Sequence, residues 1–363
     1  MKLDTDKLLK QYEPREVAMI KQDRQVHAAR YSPCGKLLLA GGYDGLVRRW
    51  EVTGDKARRL PPVAGQHGFV QGLAFAGDRV FTADSWGHLR CWAYAEEKPK
   101  TRWEVKAAHE GWIRNLSVSP DGKTLASCGV DQVVRLWSTS DGKKQKELVG
   151  HNDDVLSVAF APDGRSLVSG DLPGVVKSWD LASGKPQRDF DASVLYFYHR
   201  IQDIGGVRSL VFDAASKRLV VGGCRPSGGG FVQGTPVMLV FDYATGKQLE
   251  SVDVGGGADG FVFDMHFHSD DFLMAVTSGQ PGKGQIIYRR VGDAKPLFAT
   301  TTLSNCHSLS LSPDGTHLAV TATSKGSNGN GRRLDKAGNY IGNSTPIHLF
   351  ALGEAELEKA KAK

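Results

Sequence analysis

The chain has 363 residues, of which 40% are hydrophobic and 24% charged, proportions that are typical of a globular protein and exclude wholesale disorder. Its formal net charge of +6 is well below that of a dedicated nucleic-acid binder. No apolar run reaches the roughly 18 residues of a membrane helix, the N-terminus has no apolar signal core, and the five cysteines lack CxxC spacing, so we expect a cytoplasmic protein without membrane association, disulfides or zinc.

The N-terminal part divides into two segments. Residues 1–13 are predicted to form a charged extension, and an apolar run from Val17 to Ile20 follows them. Repeats occupy the chain from here to residue 352, and the last repeat has no fourth strand of its own. We predict that residues 16–21 pair with this last repeat as its outer strand, because pairing would protect an exposed sheet edge. Residues 353–363 are predicted to form a charged C-terminal tail.

An internal repeat with a period of about 40–45 residues dominates residues 14–352, and such a period points to a propeller. The segments 109–138 and 151–180 align without a gap. Each contains three apolar runs and a turn such as Ser119-Pro120-Asp121-Gly122, which suits type I geometry. The third run of each repeat ends on an aromatic residue, and these are Trp50, Trp92, Trp137, Trp179, Phe241, Tyr288 and Phe350.

These motifs resemble the WD-repeat family. The resemblance rests on the Gly150-His151 pair, the Ser-Pro-Asp-Gly turns and the Trp179-Asp180 pair. It is strong in the first four repeats and weaker in the last three, two of which contain insertions. The resemblance implies an all-β fold, a seven-bladed β-propeller of four-stranded antiparallel blades, in which the N-terminal strand added to the last blade closes the ring.

The third repeat contains a Ser, a His and an Asp, which would suggest a nucleophilic triad if they converged. The resemblance implies instead that His109, Ser127, Asp131 and Trp137 form a buried hydrogen-bond network that stabilises the blade. We expect only the third blade to have the complete network. In the fourth repeat, Pro173 occupies the position of the Asp. The second repeat keeps His67 and Thr82 but has Trp86 at the position of the Asp, and in the first repeat Ala40 replaces the residue with the hydroxyl.

The insertions predict where a partner binds, because binding residues tend to lie on loops held by a rigid scaffold. The segments 191–206, 225–236 and 324–345 all fall in loops that the resemblance places on one face of the ring, called here the top face. The Tyr196-Phe197-Tyr198 cluster in the first of them is interpreted as a buttress that folds its loop onto the blade. We therefore expect an asymmetric top face, with the long loops over blades five to seven.

The resemblance implies that one position of each first strand surrounds the top mouth of the central channel. Its occupants are His27, Gln71, Arg114, Leu156, Arg208, Phe263 and His307. Two arginines and two histidines in such a ring would attract an anionic group, and arginine binds carboxylates with two hydrogen bonds. Tyr43, Trp86 and Trp112 lie in nearby top loops and are candidate aromatic anchors.

Together these patterns predict a non-catalytic scaffold that binds a protein or peptide, with an acidic partner as one option. We predict no catalytic residue, no cofactor and no metal, and a monomeric ring. Two alternatives stay open. One is a lactonase-like hydrolase with a channel metal, for which Asn115 and Asp264 are the candidate ligands. The other is a weak nucleic-acid binder, which the low net charge does not favour. His266 and His268 with Asp264 could mimic a metal site, and the arginine doublets Arg48-Arg49, Arg289-Arg290 and Arg332-Arg333 are interpreted as solvated surface.

Overall fold

The computed structural model describes residues 5–199, 201–227, 234–280, 282–323, 333–334, 340–341 and 344–353. Seven four-stranded antiparallel sheets form the blades of a propeller. The predicted tail beyond residue 353, most of the 324–345 loop and residues 228–233 of the 225–236 loop lie outside the described residues. In the part of the chain that is described, no helix is long and apolar enough to cross a membrane.

Blades one to four follow one another without interruption, and each is named here by its position in the chain. The strands of blade one are Val26–Tyr31, Leu37–Gly42, Val47–Thr53 and Lys56–Val63; those of blade two are Val70–Ala76, Arg79–Asp84, Leu89–Ala93 and Thr101–Val105. The strands of blade three are Ile113–Val118, Thr124–Gly129, Val133–Ser138 and Lys144–Val149; those of blade four are Val155–Phe160, Ser166–Asp171, Val175–Asp180 and Pro186–Asp191.

The last three blades contain the longer strands and the additional elements. The strands of blade five are Ser209–Phe212, Arg218–Pro226, Gly234–Asp242 and Gln248–Asp253; those of blade six are Phe261–His268, Phe272–Ser278, Gly284–Arg289 and Phe298–Thr300. Blade seven comprises Cys306–Leu311, His317–Ala322 and Ile347–Leu352, with Pro14–Ile20 as its fourth strand. The additional elements are helix α1 (Thr5–Tyr12), a 3-10 turn (Ser193–Leu195), a hairpin (Tyr196–His199 with Gln202–Gly205) and a short pair (Arg333–Leu334 with Tyr340–Ile341).

The N-terminal strand closes the ring as predicted. Pro14–Ile20 runs antiparallel to Ile347–Leu352, with Pro14 opposite Leu352 and Ile20 opposite Ile347. A bulge between Glu16 and Ala18 shifts the register by one residue. Next to the bulge, the Glu16 carboxylate lies 2.7 Å from Nδ1 of His348, so a polar contact reinforces the seam.

The core lies between neighbouring blades, since each sheet buries both faces. All six residues of the second strand of blade four, Ser166–Asp171, are buried, whereas most of its outer strand, Pro186–Asp191, is exposed. Trp179 of blade four is fully buried among Leu136 and Leu148 of blade three. Each blade thus completes the hydrophobic core of its neighbour, which gives the ring a rigid frame.

Helix α1 is docked onto the ring. Leu8 and Tyr12 are buried in the cluster that contains Phe272 of blade six and Leu318 of blade seven. The hydroxyl of Tyr12 donates a 2.5 Å hydrogen bond to Asp270, and burial together with this carboxylate raises the pKa of Tyr12. Part of the predicted extension is therefore a packed element that joins two blades.

The doublets Arg48-Arg49 and Arg289-Arg290 are buried, so their interpretation as solvated surface is wrong. The side chains of the third doublet, Arg332-Arg333, lie outside the described residues. Arg48 is 2% exposed and binds Asp44 with two hydrogen bonds of 2.9 and 2.7 Å. Arg49 is fully buried and donates to four backbone carbonyls, those of Pro61, Tyr94, Glu96 and Glu97. Arg289 and Arg290 are buried as well. Carboxylates and backbone carbonyls accept hydrogen bonds from the terminal nitrogens of Arg48, Arg49 and Arg289. Nε of Arg48 and Nε of Arg289 have no hydrogen-bond partner in the described part of the chain.

Candidate functional site

The first strands of the blades surround a central channel with a cavity of about 290 Å³. All seven residues that the sequence alignment placed in equivalent positions line this cavity, and they are His27, Gln71, Arg114, Leu156, Arg208, Phe263 and His307. Regular spacing of the repeats explains this result, because one position per first strand faces the axis of the ring.

The two channel histidines are neutral at physiological pH. Burial lowers the pKa of His27 to about 3, with a further contribution from the charges of His307, Arg30, Arg114 and Arg208. Burial also lowers the pKa of His307 to about 4, and its Nε2 lies 2.8 Å from the hydroxyl of Thr323. The expectation that histidines contribute positive charge to the channel mouth is therefore wrong, since a desolvated imidazole favours its neutral form.

Arg114 and Arg208 are the predicted residues that carry charge into the channel. The guanidinium of Arg114 lies 4.5 Å from the ring centre of Trp112, and its nearest carboxylate is Asp154 at 3.6 Å. Arg208 donates a 2.7 Å hydrogen bond to the carbonyl of Gly205 and lies 5.0 Å from the ring centre of Phe261. Burial and the charge of Arg114 lower the pKa of Arg208 to about 10, so it stays protonated at neutral pH.

Sequence reasoning missed a partly buried ion pair in the channel wall. Arg30 lies 2.8 Å from the carboxylate of Asp264, which also accepts a 3.0 Å hydrogen bond from the backbone of Leu309. Burial raises the pKa of Asp264 despite the opposing charge of Arg30. Strict alternation would place Arg30, three residues after His27, on the opposite face of the strand. A register shift between Val26 and Ala29 brings both residues to the channel, and no signal in the sequence indicates this shift.

Aromatic side chains from three top loops form a continuous row beside the channel. Tyr43 contacts Phe69 with ring centres 4.8 Å apart, and Phe69 meets Trp112 edge to face at 5.9 Å. Trp86 is 68% exposed. The row therefore includes two predicted anchors, Tyr43 and Trp112, and one residue that the repeat alignment did not single out, Phe69.

The segment before blade five presents the largest concentration of exposed apolar side chains in the described residues. Phe197, Tyr198 and Ile201 project from the hairpin and Val194 from the turn before it, and Ile201 is 89% exposed. The hydroxyl of Tyr196 donates a 2.6 Å hydrogen bond to Asp203 across the hairpin. Leu195 and Ile204 at the base of the hairpin are buried against blade five, so the segment does fold onto the blade. The interpretation of Tyr196-Phe197-Tyr198 as the buttress is wrong for Phe197 and Tyr198, which are exposed.

The structural network of blade three is present as predicted. Nε2 of His109 lies 2.7 Å from the hydroxyl of Ser127, and its Nδ1 lies 2.8 Å from Asp131. Trp137 donates a 2.8 Å hydrogen bond to the same hydroxyl. Burial lowers the pKa of His109, against the raising effect of Asp131. The serine is fully buried, so it has no access to a substrate and acts as a structural residue.

Blade four has the complete network too, which contradicts the expectation that only blade three does. Nε2 of His151 lies 2.7 Å from the hydroxyl of Ser169, and its Nδ1 lies 2.8 Å from Asp171. Nε1 of Trp179 donates a 2.8 Å hydrogen bond to that hydroxyl. The acid comes from the end of the second strand, and the turn position occupied by Pro173 is not needed.

Blade two forms a related network with different residues. Gln66 donates to the hydroxyl of Thr82 at 2.5 Å, and Trp92 donates to it at 2.9 Å. His67, the expected member, is exposed because it lies one residue further along the loop. Asp84 accepts from the backbone of His67, in the strand-end position that Asp171 has in blade four.

The candidate metal cluster does not assemble. Asp264 faces the channel and is bound by Arg30, whereas His268 is buried against Tyr12 with ring centres 4.5 Å apart. Burial lowers the pKa of His266 to about 4. Within the described ranges, no group of three His, Cys, Asp or Glu side chains has a geometry that could hold a metal ion.

Comparison with known proteins agrees with this architecture. The family model described as WD domain, G-beta repeat matches residues 17–51, 101–138 and 142–180. Similar proteins include nuclear distribution protein PAC1-1 of Uncinocarpus reesii (29% identity, 34% of this chain and 32% of that protein) and transducin beta-like protein 3 of Bos taurus (28%, 36% and 17%). Nuclear distribution protein nudF of Emericella nidulans is 43% identical over 14% of this chain and 11% of its own length. The matches thus span a third or less of each of these relatives.

Proposed function

Since this chain is a WD-repeat β-propeller protein, we propose that it is a non-catalytic scaffold that binds a partner protein or peptide on its top face. WD-repeat propellers are generally interaction modules without enzymatic activity. The fold alone does not determine function, so the argument depends on the surface of this particular ring.

The observation that carries the proposal is the exposed apolar hairpin before blade five. Hydrophobic side chains grouped on one element are costly in water unless a partner covers them. The hairpin precedes the first strand of its blade, in the same kind of loop that supplies Phe69 and Trp112 to the aromatic row. The hairpin, the aromatic row and the exposed Trp86 together define the proposed docking surface.

Charge favours a partner with acidic groups. Arg114 and Arg208 line the mouth that the docking surface surrounds. Aromatic and arginine side chains are the residue types that most often supply binding energy at protein interfaces. We also propose that the ring acts as a monomer in the cytoplasm. The hydrolase alternative lacks support, because its candidate acid, Asp264, is bound by Arg30.

The test compares partners recovered by tagged variants after chemical crosslinking. The hairpin variant Phe197→Ser/Tyr198→Ser/Ile201→Ser and the variant Trp86→Ser are expected to lose specific partners that wild type recovers. Leu249→Ser is the matched control, because Leu249 is 52% exposed but lies on the outer strand of blade five.

Unchanged partners in both top-face variants would show that the docking surface is wrong. Loss of the same partners in Leu249→Ser would show that the effect is not specific to the top face. Recovery of no protein by wild type would contradict the scaffold function itself.

A further inference from the structure

We propose that Arg114 and Arg208 form a binding site for a single oxyanion group, a carboxylate or a phosphate, inside the channel. The identity of the molecule that carries this group rests on the proposed function, because a partner's acidic side chain is one source and a free anion is the other. The site itself is inferred from the charges and hydrogen bonds of the channel.

The positive charge of the cavity exceeds what nearby carboxylates balance. Three arginines line the cavity, and Arg30 is paired with Asp264 at 2.8 Å. Arg114 forms a longer ion pair of 3.6 Å with Asp154, and Arg208 has no carboxylate partner among the described residues. Because Arg114 and Arg208 line the same channel and their charges repel each other, an anion between the two guanidiniums would offset this repulsion.

Both guanidiniums have unused hydrogen-bond donors. In the described part of the chain, Arg114 donates no hydrogen bond and Arg208 donates one, to the carbonyl of Gly205. Most buried donors in folded proteins are paired, and each unpaired one costs about 1–3 kcal/mol. Arginine presents its donors as a planar fork that matches the two oxygens of a carboxylate or phosphate.

Fixed contacts hold the two guanidiniums in place. Arg114 rests against the face of Trp112, and Arg208 is fixed by Gly205 and the ring of Phe261. Because these contacts use the faces and single donors of the guanidiniums, the remaining donors stay available. Such preorganised groups lose little conformational entropy on binding. The cavity of about 290 Å³ fits one small anion or one side chain.

The test measures binding of inorganic phosphate to the whole protein by calorimetry, against chloride at matched ionic strength. Arg114→Gln and Arg208→Gln are each expected to weaken phosphate binding at least tenfold. Arg102→Gln is the matched control, since Arg102 is an exposed arginine on the outer strand of blade two. It is expected to change the affinity less than twofold.

A second measurement shows that a variant is folded and that the site is functional. Without phosphate, Arg208→Gln is expected to resist urea at least as well as wild type, because it removes an unpaired charge. With phosphate, only wild type and Arg102→Gln are expected to gain stability, as ligand linkage requires. Equal effects of phosphate and chloride on wild type, or an unchanged phosphate affinity in Arg114→Gln/Arg208→Gln, would overturn the proposal.

Two further probes separate the sources of the oxyanion. If N-acetylglutamate amide displaces phosphate and N-acetylglutamine amide does not, the site accepts an acidic side chain. If phosphate alone binds, the site takes a free phosphate, and both results support an oxyanion site. The outcome is independent of the docking test, since phosphate can bind even when the hairpin and Trp86 variants keep all their partners.

Discussion

Replacing Ser169 by alanine tests the hydrogen-bond network of blade four. The hydroxyl is fully buried and lies 2.7 Å from Nε2 of His151 and 2.8 Å from Nε1 of Trp179. Its removal leaves one buried donor and one buried acceptor without a partner, at about 1–3 kcal/mol each. Because the cavity left by one oxygen is small, we expect a loss of about 3 kcal/mol in the free energy of unfolding.

The loss is measured by urea unfolding at pH 7.5 and checked by calorimetry. In calorimetry, a loss of about 3 kcal/mol in the free energy of unfolding corresponds to a fall of about 4 °C in Tm for a chain of this size. Ser127→Ala removes the equivalent hydroxyl of blade three, with contacts of 2.7 and 2.8 Å, and is expected to cost the same within about 1 kcal/mol. Ser140→Ala, at an exposed serine, is expected to change stability by less than about 0.5 kcal/mol. A loss in Ser127→Ala but none in Ser169→Ala would refute the network in blade four.

Two further outcomes are expected. Leu8→Ala should weaken the docking of helix α1 by up to about 3 kcal/mol, because Leu8 is 2% exposed in the core between blades six and seven. Trypsin should therefore cleave the variant after Lys10 faster than it cleaves wild type. The free energy of unfolding should fall as the pH drops from 6.5 towards 4. His27, His307 and His266 have pKa values of about 3, 4 and 4 in the folded protein, so these three histidines take up protons in this range only in the unfolded chain. Each histidine contributes a slope of up to about 1.4 kcal/mol per pH unit, and a slope that His27→Gln/His307→Gln leaves unchanged in urea titrations would contradict this assignment.

The fold could be predicted from sequence because the repeat makes many weak signals agree. Turn residues, apolar runs and terminal aromatics recur in phase, so an alignment of repeats places equivalent residues in equivalent positions. The seven channel residues were identified in this way, without knowledge of any contact. The closing strand was also predictable, because one repeat lacked a strand and the apolar run at Val17 supplied it.

The details that failed depend on contacts between residues far apart in sequence. Asp171 replaces the expected turn acid because a carboxylate at the end of a strand reaches the same imidazole, which one repeat template does not show. Arg49 is buried because carbonyls near the start of the next blade's outer strand surround it, and neither spacing nor composition reveals them. The charge state of His27 likewise depends on burial and on cations from other blades.

The seam between Pro14–Ile20 and Ile347–Leu352 has a consequence for the order of folding. The two strands are separated by more than 300 residues, so bringing them together costs about 5 kcal/mol of loop entropy in an open chain. Blades one to six can each form from a continuous stretch of chain, whereas blade seven needs Pro14–Ile20, which precedes blade one, and three strands that follow blade six. During synthesis, Pro14–Ile20 must therefore wait, unpaired, until residue 352 has emerged. The seam should therefore be the last pairing to form, because no other strand pair in the described residues joins segments so far apart in the chain.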